Sequence, residues 1–356
     1  MSCFKGDRPM ENRADIKSLS REELRDLVRE FGKEDYRVRQ IIHWIYYHQV
    51  DSFHQMTTLS KVLRSFLERT TRMELLTVAE TETSSDGSRK FLFTLDDGES
   101  IESVLIPDKK RLTLCVSTQA GCSFGCRFCL TGRRSLSRNL TSGEIVGQIL
   151  TVQRTLETDR LTNIVLMGMG EPLANFENTL KAVEIMGYDD GLRLSRRRIT
   201  LSTVGLVPGI DRLGTLPPRC RLAVSLNASD NETRDFLMPV NRHYPLEDLL
   251  AACRRFPLAP RDRITFEYVL IKDINDADKD ALRLPKILHG IPAKINLIPY
   301  NESPLLPFRR PDEDRVLAFQ EALLRKNVTA IVRRSRGTDI SAACGQLRGR
   351  SRPFMN

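Results

Sequence analysis

Apolar positions recur at helical spacing early in the chain. Leu24, Leu27, Val28 and Phe31 fall three and four residues apart, and Ser20 with Glu23 ahead of them makes a capping box. A second stretch over 36–48 carries Val38, Ile41, Ile42, Trp44 and Ile45, and a third surrounds 59–67, so a small helical unit is predicted. The period then changes. Segments 78–82, 90–95 and 100–106 read as short strands, with Asp86-Gly87 and Asp97-Gly98 as turns between them.

From about residue 111 strands and helices alternate. Candidate strands are 112–117, 163–167, 199–202, 222–226, 264–270, 295–298 and 329–332. Amphipathic helices fit between most of them, including one that starts at a Thr141/Glu144 capping box and others over 277–288 and 312–325. Strands separated by helices predict a parallel α/β sheet, because each parallel crossover needs a dozen or more residues. Six or seven such units predict an open or closed barrel with its chemistry at the C-terminal strand ends. The expected organisation is a helical accessory domain over 1–75, a β-strand linker over 76–107, a barrel over 108–347 and a basic tail over 348–356.

The 356 residues are 40% hydrophobic, enough for a core of ordinary size. No run of about 18 apolar residues occurs, which argues against a membrane span. The first fifteen residues lack the apolar stretch of a secretory signal, so a cytoplasmic protein is expected. Fifty-five basic against 46 acidic residues give a net charge of +9. That excess is either a solvated basic surface or the footprint of a polyanionic partner. Three arginine clusters favour a nucleic acid: Arg133, Arg134 and Arg138; Arg193, Arg196, Arg197 and Arg198; Arg348, Arg350 and Arg352. Charge alone does not distinguish RNA from DNA.

Eight cysteines in a chain of this length, with no export signal, do not suggest a disulfide scaffold. Cys220 and Cys253 stand in apolar or helical contexts and read as core. Cys122, Cys126 and Cys129 are different. They form C-x3-C-x2-C directly after the first barrel strand, with Gly121 and Gly125 letting the backbone wrap an inorganic group. Three thiolates can each hold one iron of a 4Fe-4S cluster, and the fourth iron is then open to chelate S-adenosylmethionine (SAM). The competing readings are a zinc knuckle with Cys115 as fourth ligand, as in a zinc-dependent nucleic-acid-binding module, or inert core cysteines. Structural zinc wants two pairs or a nearby His, and neither is present. At the end of the second barrel strand, Met167-Gly168-Met169-Gly170-Glu171-Pro172 resembles the GGEP element that holds the SAM amine in the radical SAM superfamily.

Three further stretches carry a closer resemblance: IESVLIP over 101–107, LCVSTQAGC over 114–122, and RGTDISAACGQL over 336–347. With these, almost the whole chain resembles the RlmN family, the adenosine C2-methyltransferases of ribosomal and transfer RNA, which has Cfr as a close relative. The resemblance implies a partial (β/α)6-type TIM barrel with a helical accessory domain for RNA recognition, where Lys33, Arg37 and Arg39 stand. It implies a 4Fe-4S cluster, two SAM molecules per turnover, and 23S rRNA and tRNA as substrates, methylated in the peptidyl-transferase centre and 3′ to the anticodon. A flavodoxin or ferredoxin would donate electrons, and a monomer is expected.

The site residues implied are these. Cys344 attacks the methyl group of one SAM and becomes S-methylcysteine. A radical from the second SAM takes hydrogen from that methyl, and the resulting carbon radical adds to C2 of adenine, a carbon with no lone pair for a polar transfer. Glu102 matches the base that removes the C2 proton. Cys115 attacks the Cys344 sulfur in a transient disulfide that releases the product. Gly170, Glu171, Ser202, Ser225, Leu226, Asn227 and Asn301 match SAM-binding positions, with Asn227 standing where some members have histidine. Pro172 and the NLIPYN stretch over 296–301 favour C2 over the C8 position that Cfr methylates.

Overall fold

The computed structural model describes residues 13–73, 75–156, 160–217 and 219–349. Cys3, Arg350, Arg352 and most of the expected basic tail lie outside these residues. Helix α1 (Arg21–Glu30) begins at the capping box, where the Ser20 hydroxyl accepts the Glu23 N–H and the Glu23 carboxylate accepts the Ser20 N–H, and it buries Leu24, Leu27 and Val28. Helix α2 (Tyr36–Ile42) does not run on regularly to His48, as its periodicity suggests. It widens into a π-helical turn over His43–Tyr47, closed by the His48 N–H on the His43 carbonyl at 3.0 Å. Helix α3 (Lys61–Thr70) starts from the Ser60 hydroxyl. This helical unit shares one continuous apolar core with the strands and outer helices of the sheet, while a second, smaller cluster around Leu130, Met238 and Tyr300 lies apart. Tyr46 is fully buried and donates to the Lys17 carbonyl, and the Arg21 N–H donates to the Tyr188 hydroxyl.

Strands β1 (Thr77–Thr83), β2 (Arg89–Thr94), β3 (Ser100–Asp108) and β4 (Arg111–Cys115) form an antiparallel meander. Its first two turns place Gly87 and Gly98 at φ of +84° and +81°, which only glycine adopts cheaply. Parallel strands follow: β5 (Asn163–Leu166), β6 (Ile199–Thr203), β7 (Arg221–Ser225), β8 (Ile264–Leu270), β9 (Ala293–Pro299) and β10 (Ala330–Val332). These ten strands lie in one open sheet in chain order, β1 to β10, seven of them mutually parallel. The segment over 76–107 therefore extends the barrel sheet and does not link two separate bodies. Its reason is visible in β3, where Ser100 through Leu105 are all buried, as both faces are covered.

Helices cover the outside of the parallel strands. They are α4 (Ser142–Arg154), α5 (Phe176–Met186), α6 (Val207–Gly214), α7 (Asn231–Leu237), α8 (Leu246–Arg255), α9 (Asp278–Ile287) and α10 (Glu313–Arg325). The capping box of Thr141 and Glu144 starts α4 as its sequence predicts. Every parallel strand points its C-terminal end the same way, so the tips of β4 to β10 gather at one mouth. Among the described residues no helix is long and apolar enough to cross a membrane.

Candidate active site

One cavity opens at that mouth, and Cys122, Cys126, Cys129 and Cys344 all line it. The loop after β4 wraps tightly. A Cβ on Gly121, at φ +89°, would stand 2.2 Å from the Ser135 carbonyl oxygen, and one on Gly132 would stand 2.9 Å from that of Cys126. Burial pushes the Cys122 thiol up to about 11 and also raises Cys126 and Cys129, with each of the three raised further by a neighbouring thiol of the site. Coordinated iron would reverse that by deprotonating them. Among the described residues no three His, Cys, Asp or Glu side chains converge as a single tetrahedral ion requires. Cys122, Cys126 and Cys129 all line the one cavity, where each thiolate can hold one iron of a multi-iron cluster. Cys115, weighed above as a fourth zinc ligand, sits with Cys344 and Arg333 and not with the triad.

The glycine-rich turn after β5 forms the next wall. A Cβ on Gly168 would meet the Val116 carbonyl oxygen at 2.7 Å, and one on Gly170, at φ +98°, would meet the Gln119 side chain at 2.5 Å. Glu171 is 1% exposed. Its two oxygens accept the N–H groups of Leu173 at 3.0 Å and Val204 at 2.8 Å, yet burial lifts its carboxyl to about 7. A cationic amine in the cavity would restore the charge that burial penalises.

Ser202 and Ser225 line the cavity from the tips of β6 and β7. Asn227 also lines it, but its amide is already engaged. Its oxygen accepts the Val269 N–H at 2.8 Å and its nitrogen faces the Met238 sulfur at 3.2 Å. Its φ of +56° suits asparagine better than histidine. Leu226 is wholly buried and is not among the lining residues. Its carbonyl instead accepts from Arg234, a fully buried guanidinium that also holds the Val204 and Ser225 carbonyls and the Asn241 side chain. Asn301, just beyond β9, donates to the Cys344 carbonyl at 3.2 Å and so ties the Cys344 loop to the end of that strand.

Cys344 is exposed and Cys115 is buried, and both are free thiols. Burial, and then the nearby Cys344, push Cys115 up to about 12. Glu102 is not among the cavity residues. It is buried beneath the C-terminal segment, where one carboxylate oxygen accepts the N–H groups of Arg348 at 2.8 Å and Gly349 at 3.1 Å. Arg134 and Arg138, expected as phosphate ligands, are paired with Glu99 and with Asp97 and Glu144 respectively.

Sequence reasoning missed Glu267 and Arg333, which line the inner cavity. Glu267 is the one charged residue in the strand Ile264–Leu270, and Arg333 directly follows β10; both are signals of an inward-facing polar group. Glu267 Oε2, Asn301 Oδ1 and the Tyr300 hydroxyl are buried with no protein partner. Orphaned polar atoms in one cavity call for a polar ligand. The donor set, the close backbone approach and these atoms together fit a 4Fe-4S cluster bearing SAM, which Cys122, Cys126 and Cys129 would hold.

Comparison with known proteins agrees. Residues 116–284 match the model of the radical SAM superfamily, and residues 14–73 match that of the ribosomal RNA large subunit methyltransferase N-terminal domain. The chain is 54% identical over 341 residues to a dual-specificity RNA methyltransferase RlmN of Geobacter sulfurreducens, covering 96% of this chain and 94% of that protein. It is 53% identical to the protein of that name from Syntrophotalea carbinolica, with 96% and 91% covered. A crystal structure of a radical SAM methyltransferase from Sphaerobacter thermophilus, 45% identical, superposes with a TM-score of 0.89 over 94% of this chain and 99% of that one.

Proposed function

The chain belongs to the RlmN family of radical SAM RNA methyltransferases, and from that premise we propose that it methylates C2 of adenosine in 23S rRNA and tRNA through Cys344. The observation that carries this reading is the placement of Cys344 in the cavity of the cysteine triad, with a second free thiol, Cys115, beside it. When bound, the cluster and SAM supply the methyl group and the means to abstract hydrogen. The protein's residues do the rest. The Cys344 sulfur accepts the methyl and presents it to the adenine ring. Glu102 removes the C2 proton, which requires the Arg348–Gly349 segment to swing off its carboxylate. The Cys115 thiolate then attacks the Cys344 sulfur, the sulfur–carbon bond breaks with its electron pair going to the methylene carbon, that carbon takes up a proton to become the methyl group, and the methylated base leaves as the disulfide forms.

Glu171 receives the SAM amine, while Gly170, Ser202, Ser225, Asn227 and Asn301 shape the cofactor wall, with Leu226 acting behind it through the carbonyl that Arg234 holds. The target base must be unstacked or extruded to reach the mouth. The helical unit acts as an RNA-recognition module, and a small flavodoxin- or ferredoxin-type carrier reduces the cluster of a cytoplasmic monomer. The test is anaerobic reconstitution with iron and sulfide, then SAM, reductant and adenosine-containing RNA, with mass spectrometry of the digested nucleosides. C2-methyladenosine is the expected product. A C8 product would assign the Cfr reaction, and a loaded cluster that yields neither methylated base nor deoxyadenosine would overturn the enzyme reading.

A further inference from the structure

The antiparallel meander grips the chain just ahead of Cys344. The turn between β1 and β2 makes the first contacts. The Asp339 carboxylate accepts the Ser84 hydroxyl at 2.6 Å, the Ser85 N–H at 3.0 Å and the Ser85 hydroxyl at 3.2 Å. In the other direction, the Gly337 N–H donates to the Asp86 carboxylate at 2.9 Å. Gly337 packs closely here: a Cβ on it, at φ +64°, would stand 2.8 Å from that of Ala342 and 3.5 Å from that of Ser88. Next along the chain, the Ile340 carbonyl accepts the Lys90 ammonium at 2.6 Å. Lys90 is buried and also pairs with Glu82 at 2.7 Å.

Register relates this lysine to the chemistry. Glu82, Lys90, Val104 and Cys115 are successive cross-strand partners on β1 to β4. Directly opposed residues share a face of the sheet, so Lys90 and Cys115 stand on the same one. Two strand spacings, roughly 10 Å, separate them. Glu102 lies two residues before Val104 and so on that face too, with its carboxylate 4.0 Å from the Lys90 ammonium. Beyond Cys344 the chain is gripped again. The Gly345 carbonyl accepts the Leu130 N–H at 2.7 Å, and the Leu347 carbonyl accepts the Thr131 hydroxyl. Cys344 stands one Cα–Cα step, about 3.8 Å, before an anchored residue, so its Cα travels little while both grips hold. The movement that uncovers Glu102 is then confined to residues after Leu347.

We propose that Asp339 and Lys90 are positioning residues, which clamp the Cys344 loop to the meander in a setting from which its sulfur reaches both the methyl donor in the cavity and the Cys115 thiol at the end of β4. Rotation of the Cys344 side chain, not excursion of the loop, carries the sulfur between the two. The inference rests on the roles given above to Cys344 and Cys115, and adds to them the elements that bring the two thiols together.

The test reads the Cys115–Cys344 pair without RNA or turnover. Reconstituted enzyme is equilibrated anaerobically in glutathione buffers of graded redox ratio, quenched with acid, alkylated and measured by mass spectrometry. Glutathione disulfide takes two electrons and two protons from the thiol pair and leaves as two molecules of glutathione, as the Cys115–Cys344 bond forms. Asp339 is exposed, so Asp339→Ala keeps the fold, and its urea midpoint in the reduced state is expected to match wild type. Its disulfide is expected to be at least tenfold easier to reduce, a potential about 30 mV less negative. Asp339→Asn still accepts a hydrogen bond and is expected to recover part of that shift, and Lys90→Met to reproduce it. An unchanged or more negative potential in Asp339→Ala overturns the clamp. So does a shift matched by a fallen urea midpoint, which is what a merely structural role would give, or a wild-type pair that forms no disulfide at any ratio. If the wild type makes no methylated adenosine, the functional reading fails while the glutathione titration still decides the clamp.

Discussion

Glu102 Oε2 accepts the backbone N–H of Arg348 at 2.8 Å, a hydrogen bond between residues 246 positions apart. The same oxygen takes the Gly349 N–H at 3.1 Å, so the carboxylate proposed as the proton acceptor also latches the C-terminal segment. The two roles separate in Glu102→Gln. The amide oxygen still accepts from both N–H groups, so stability should stay within about 1 kcal/mol of wild type. A lost general base costs about 10²–10⁴ in rate, so methylated nucleoside should fall at least a hundredfold in single-turnover assays. Wild-type yield from this variant removes Glu102 from the chemistry and leaves it only the latch.

The two free cysteines should fail differently. Cys344→Ala has no sulfur to carry the methyl group, so neither methylated adenosine nor any protein–RNA adduct is expected. Cys115→Ala can load the methyl and attach the base but has no thiol to release it. A band of protein joined to RNA, stable on a denaturing gel, should therefore accumulate. An adduct from Cys344→Ala, or ordinary turnover by Cys115→Ala, contradicts the assigned roles.

Arg234 is fully buried, and its hydrogen bonds reach the tips of two cavity strands through the carbonyls of Val204, Ser225 and Leu226. Arg234→Met strands those carbonyls and should cost about 3 kcal/mol or more, seen as a lower urea midpoint at unchanged slope. Arg234→Lys keeps a charge but not the fork, and should recover only part of the loss. Two variants as stable as wild type would show the clamp to be dispensable.

Much of this was legible in the chain. The Ser20/Glu23 and Thr141/Glu144 boxes and the strand–helix alternation after residue 111 were readable because caps and periods are local physics. The cysteine spacing located the three thiols that meet in the cavity. What was not legible depends on neighbours distant in sequence. Nothing near Glu102 announces that Arg348 and Gly349 cover it, and nothing near Arg138 reveals that Asp97 and Glu144 occupy it. The strands over 76–107 looked like a linker because pairing between β3 and β4 is a register, not a composition. The π-helical turn was invisible because its ring of aromatics reads equally well as an ordinary helical face.

Glu171 supplies a pH signature that needs no turnover. Its carboxyl would ionise near 4.5 in the unfolded chain and near 7 in the buried site. Between those values the folded state holds a proton that the unfolded state has released. Stability from this group is complete below 4.5 and is lost as pH rises through 7, a loss on the order of 3 kcal/mol. Glu171→Gln keeps the shape without the titration. Denaturant unfolding of the cluster-free protein at pH 5 and pH 8 should show wild type losing stability relative to Glu171→Gln by about that amount. A difference that does not change with pH means that the carboxyl is already ionised at pH 5. With cluster and SAM bound, the cofactor ammonium favours the ionised carboxylate, so the thermal shift produced by SAM should grow from pH 5 to pH 8 in wild type and stay flat in Glu171→Gln. Equal slopes in the two proteins would place the SAM amine away from Glu171.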